Sequence, residues 1–97
     1  MMEPALRRIL GHWPFERMRL DDMPPDALRG VLIITCEQGG SYGAIAAFQV
    51  PLPGAGLRAQ KFEAQCDGQL GALYVNVPDP RERTRILNEV RALIRTK

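Results

Sequence analysis

One histidine and two cysteines stand in this chain of 97 residues, at His12, Cys36 and Cys66. Acid/base chemistry needs a titrating group within hydrogen-bond reach of a partner. His12 lies beside Trp13, with no acid or nucleophile near it in sequence, so a ribonuclease-like site would have to gather Glu63 and Arg58 through the fold. No residue is therefore assigned a catalytic role. Two cysteines and one histidine fall short of an ordinary four-ligand zinc site, and neither a metal nor a cofactor is expected. Each cysteine precedes an acid, Glu37 or Asp67, and a neighbouring carboxylate disfavours the thiolate. Both are expected to be free, buried, unreactive thiols in a reducing compartment.

The side chains that suit recognition are more concentrated. Trp13, Phe15, Arg17, Met18, Arg19 and Met23 fall within a short stretch whose aromatic, arginine and methionine content matches interface hot spots. Trp13, Phe15, Arg17, Met18 and Arg19 are thus the preferred partner-binding set. The competing reading is structural: in so small a domain Trp13 and Phe15 would pin the first helix over the sheet.

A second constellation is basic. At 100° per residue Arg81, Arg85 and Arg95 fall opposite the apolar stripe of the last helix, with Arg91 on its flank. Such a stripe could contact phosphates or an acidic partner. A net charge of only +2 and Glu89 beside the stripe favour a solvated helix face instead. Arg83 turns toward the apolar side, and either a salt bridge to a sheet acid or a stem lying over the core would accommodate it. Gly39, Gly40 and Gly43 join two strands rather than a strand and a helix, so they form a hairpin tip and not a phosphate cradle.

The elements that must position these residues are legible from periodicity and breakers. Leu6, Ile9 and Leu10 keep helical spacing between Pro4 and Gly11. Residues 12–23 show no clean period, and Pro24 to Gly30 reads as a single helical turn. Strands are expected at 31–36, 42–50, 57–66 and 70–77, with turns at Gly39-Gly40 and Asp67-Gly68. The first strand is apolar at both parities and suits a central or doubly covered position. Asp79, Pro80 and Glu82 open the last helix as N-cap, N1 and N3, and Ile86, Leu87, Val90, Leu93 and Ile94 form its stripe.

The expected architecture is one α+β domain, residues 1–97. It comprises a short N-terminal helix, a four-stranded antiparallel sheet built from two hairpins, and a long amphipathic C-terminal helix packed on one face. In a simple meander the first strand would lie at an edge, to be covered by the N-terminal segment or paired in a homodimer through a sheet edge or face. No apolar run is long enough to span a bilayer and no signal sequence opens the chain, so a cytoplasmic protein without membrane attachment is expected.

Function is read by weighing these patches. A small non-enzymatic regulatory or inhibitory protein-binding module ranks first. A nucleic-acid-binding accessory protein using Arg81, Arg85, Arg91 and Arg95 ranks second, and a small ribonuclease-type toxin third.

Overall fold

The computed structural model describes residues 1–18, 29–50 and 65–95, and the side chain of Arg95 is outside that description. Helix α1 (Pro4–His12) is followed by strands β1 (Glu16–Met18), β2 (Gly30–Gln38), β3 (Ser41–Val50) and β4 (Gln69–Asn76), then by helix α2 (Pro80–Arg95). The strands form one antiparallel sheet in the order β1-β4-β2-β3. The α+β class, the four-stranded antiparallel sheet and the C-terminal helix packed on it agree with the sequence.

The membership of the sheet differs in one respect. Its fourth described strand is the three-residue β1, in a stretch where three residues are too few to display a period. The strand expected at 57–66 lies outside the described residues as far as residue 64, and Gln65 and Cys66 are not strand. The helical turn expected before Gly30 also falls largely outside them, and Gly30 itself opens β2.

β2 is central, between β4 and β3, which explains its apolar residues at both parities. Val31 and Ile33 face the helices with Ala44, Ala47, Leu73 and Val75, while Leu32, Ile34, Val50 and Ala72 face the other way. Gly39 and Gly40 both adopt positive φ, 55° and 80°, the conformation a tight two-residue hairpin requires. The β2–β3 register slips between Ile34 and Thr35, leaving Ile45 as the extra residue of a bulge. Ala44 and Ala47 consequently point to the same face although they are three apart.

β2 is flanked on both sides, so a meander edge there is avoided, and among the described residues β3 ends the strand order. The N-terminal segment, expected to cover the strand at 31–36, runs instead beside the start of β3. Met2 bridges Tyr42, whose N–H donates to the Met1 carbonyl and whose carbonyl accepts the Glu3 N–H, both at 2.8 Å.

Cys36 and Cys66 form a disulfide, which corrects the expectation of free thiols. Alternate buried positions beside an acid look alike in sequence whether the thiols are paired or not. Only the fold brings the end of β2 against the entry to β4, where the Asp67 N–H also donates to Gln38 Oε1 at 3.0 Å. The bond spans 30 residues, and in the chain-entropy account a loop of that length is worth about 3.5 kcal/mol. No described helix is long and apolar enough to cross a membrane.

Candidate functional site

The side chains of α1 divide by angle. Leu6 and Ile9 are fully buried against the sheet, and Arg7, Arg8, Gly11 and His12 are exposed. Proline at the first turn starts the helix, and it runs one residue past Gly11 before Trp13 turns extended, donating its N–H to the Ile9 carbonyl at 3.0 Å. That turn brings Trp13 back beneath the helix end. Its ring meets His12 edge-on at 4.4 Å and Phe15 at 6.4 Å, and both Trp13 and Phe15 are half-buried against the helix-side core.

β1 then separates the hot-spot residues, because successive strand side chains take opposite faces. Arg17 pairs opposite Leu73 and points to the helix side, where its guanidinium lies 5.0 Å from the centre of the Tyr42 ring. Met18 pairs opposite Ala72 and packs on the far face. Arg19 lies outside the described residues. The structure therefore brings Trp13, Phe15 and Arg17 to one side of the sheet and sends Met18 to the other.

On α2 the stripe seats as expected, with Ile86, Leu87 and Val90 buried and Leu93 and Ile94 packed at the margin. Asp79 Oδ1 accepts the Arg81 N–H at 3.0 Å, the N-cap interaction. Glu82 does not complete the reciprocal half of a capping box. Its carboxylate bonds Arg85 one turn on, and that bond, with the Coulomb attraction of the same carboxylate, raises the Arg85 pKa above its ordinary value.

The arginines of α2 have varied fates. Arg85 also reaches Glu89 at 3.6 Å. Arg91 donates Nε and Nη2 to the Ala47 carbonyl of β3, at 3.4 and 3.1 Å. Arg83 is 7% exposed and donates Nη1 to the Val50 carbonyl at 3.0 Å and Nη2 to the Pro78 carbonyl at 3.5 Å, while its Nε has no partner. Of the two accommodations expected for Arg83, the described residues show the buried stem; among them the guanidinium meets backbone carbonyls and no acid. Arg81 is exposed at the helix start.

A groove of about 510 Å³ opens where α1 meets α2. Arg8, Gly11 and His12 form one wall, and Trp13 stands at its end. Glu89, Ala92 and Leu93 form the other, and the lining is mainly apolar. Of the lining residues, Trp13 belongs to the partner-binding set expected from sequence, His12 is the residue considered there for acid/base chemistry, and Glu89 and Leu93 are placed by sequence only on the last helix. The spacing 8, 11, 12 on a helix already places Arg8, Gly11 and His12 on one face, but the opposing wall depends on how α2 docks.

His12 faces this groove at the end of α1, and Arg58 and Glu63 lie outside the described residues. A second, more polar cavity of about 250 Å³ lies by the disulfide, lined by Glu3, Cys36, Gln38, Ser41 and Gln65 among others. Compared with known proteins, the chain matches no family model, no curated protein and no solved structure.

Proposed function

We propose that this chain is a small non-enzymatic binding module, regulatory or inhibitory in role, that seats a segment of a larger protein in the groove between α1 and α2. The observation that carries the reading is the half-buried Trp13 at the end of an open apolar groove between two helices. Aromatic anchors in such positions dominate binding energy, and a groove between helices suits an extended or helical peptide segment. Arg17 and Phe15 extend the same side of the domain and would supply a rim.

This reading is favoured over nucleic-acid binding through α2. Arg85 is held by two carboxylates and Arg91 by a carbonyl of β3, so a phosphate would have to displace existing partners. It is favoured over a ribonuclease because His12 is exposed at a helix end, with no described acid as partner. Pairing in a homodimer through the β3 edge is disfavoured by Met1 to Glu3 along one part of that edge and Arg91 at another.

The test is affinity capture from the native host with mass spectrometry and a nuclease-treated control. Ala92→Arg should abolish capture while leaving thermal unfolding unchanged, since Ala92 is exposed and lines the groove. Capture that survives this change, or that disappears after nuclease treatment, overturns the reading. The location proposed is cytoplasmic, although disulfides persist chiefly in oxidising compartments. Thiol titration of protein taken from the host decides: two free thiols retain the cytoplasm, and a bonded pair moves the chain out of it.

A further inference from the structure

We infer that the occupant of the groove is an acidic, amphipathic segment of the partner protein, whose carboxylates face α1 while its apolar side chains rest on Trp13, Ala92 and Leu93. The inference rests on the groove being the binding surface and adds the chemistry of what it takes.

Charge on the two walls is unequal. Helix α1 contains Arg7, Arg8 and His12 and no acid at all. Among the described residues Arg7 and Arg8 take part in no ion pair. Glu89 stands across the groove from Arg8, yet its carboxylate takes Arg85 one turn back on its own helix. Arg85 is shared by Glu82 and Glu89, so these three groups leave one carboxylate in excess on α2, while the α1 wall carries Arg8 without an ion pair among the described residues. The carboxylates of an occupant are therefore turned toward α1 and away from Glu89. A basic segment would meet like charge along α1. A neutral apolar one would leave those cations unmatched beside a desolvated floor, which electrostatic complementarity disfavours.

The groove is open rather than enclosed, and its floor is contributed by side chains from two elements. A continuous segment that lays a row of apolar anchors along such a surface fits it better than a small molecule, which buries most of its area only in a closed pocket.

Trp13 is the single tryptophan of the chain and reports occupancy directly. The full chain is titrated with two synthetic helical peptides of matched length, one built from leucine and glutamate and one from leucine and lysine. The leucine/glutamate peptide is expected to shift Trp13 emission to the blue with saturation. The leucine/lysine peptide should bind at least about tenfold more weakly, and the preference should fade as salt is raised. Arg8→Glu, at an exposed position, should invert the order, and Arg8→Gln should reduce the gap without inverting it.

Equal binding of both peptides, or an Arg8→Glu variant with the wild-type preference, overturns the acidic occupant and leaves the groove as the binding surface. No Trp13 response to either peptide, on a chain that still unfolds cooperatively, removes the groove reading itself. A Trp13 shift that depends on protein concentration without peptide assigns the groove to a second copy and overturns the acidic partner.

Discussion

Helices α1 and α2 lie on the same face of the same sheet, and both carry arginines, yet they are held in different ways. α2 runs for 16 residues with an aspartate cap, a proline start and acid–arginine pairs along its outer face. α1 has nine residues, no side-chain cap at Glu3 and no acid in its first turn. A helix that short is not stable alone, so α1 depends on what it buries. The cations follow the same division. On α2 the guanidiniums of Arg83, Arg85 and Arg91 are drawn into the structure, to backbone carbonyls or neighbouring carboxylates, whereas Arg7 and Arg8 on α1 stay outside. Positive charge counted along a sequence is therefore a poor guide to positive charge that a partner can reach.

The comparison breaks most sharply at Leu6. It is one of two fully buried side chains that seat α1, so Leu6→Ala should destabilise the domain by about 3 kcal/mol. Because α1 has little local reinforcement, the same variant should lose peptide-dependent Trp13 fluorescence before the sheet melts. Hydrogen exchange tests this: α1 amides should open well below the unfolding transition, and amides of β2 should not. If α1 and β2 exchange together, the short helix is as firmly integrated as the long one.

Arg83 sharpens the other half. Its stem fills core volume and its guanidinium satisfies the Val50 carbonyl, without a carboxylate among the described residues to balance the buried charge. Arg83→Ala should cost about 2 kcal/mol through lost packing and a lost donor. Arg83→Met keeps most of the volume and removes a desolvated cation, so it should stay within about 1 kcal/mol of the parent or exceed it. Denaturant melts of the pair separate packing from charge. A Met variant as damaged as the Ala variant would show that the hydrogen bonds to Val50 and Pro78 matter more than the stem.

What was legible in the sequence follows the range of the interactions concerned. Asp79, Pro80 and the stripe from Ile86 to Ile94 are local signals acting within one helix, and they placed α2 correctly. Gly39-Gly40 is equally local, a backbone demand confined to two residues. The unbroken apolar run of β2 indicated burial on both faces, and the strand is central. The Cys36–Cys66 bond, the β1 pairing and the groove were not legible, because each joins residues that only the sheet order brings together. Arg83 is intermediate: its angle marked it as anomalous, but the Val50 carbonyl that receives it lies 33 residues away. The binding set was read as one patch from Trp13 to Arg19. The alternation of β1, invisible without its pairing to β4, is what divides Met18 from Arg17.

Asp79→Ala probes the local reinforcement of α2 by itself. Losing the bond to the Arg81 N–H should cost about 1 kcal/mol, with the rest of the helix held by its buried stripe. Circular dichroism should keep its helical signal while the melting temperature falls. Collapse of that signal would mean that the stripe is too weak to hold α2 without its cap.

The smallest effect on stability is expected at Arg8, and its smallness is the informative part. Arg8 is exposed and makes no described ion pair, so Arg8→Ala should change stability by less than about 0.5 kcal/mol. Alanine is also the better helix former, which offsets whatever solvation of the guanidinium contributed. If Arg8→Ala instead destabilised the domain by more than about 1 kcal/mol, the cation would be part of the fold, like Arg83 and Arg91, and unavailable to a partner. A stable Arg8→Ala protein with weakened acidic-peptide binding would place the two helices in separate roles, with α2 holding β3 through Arg91 and α1 offering its charge outward.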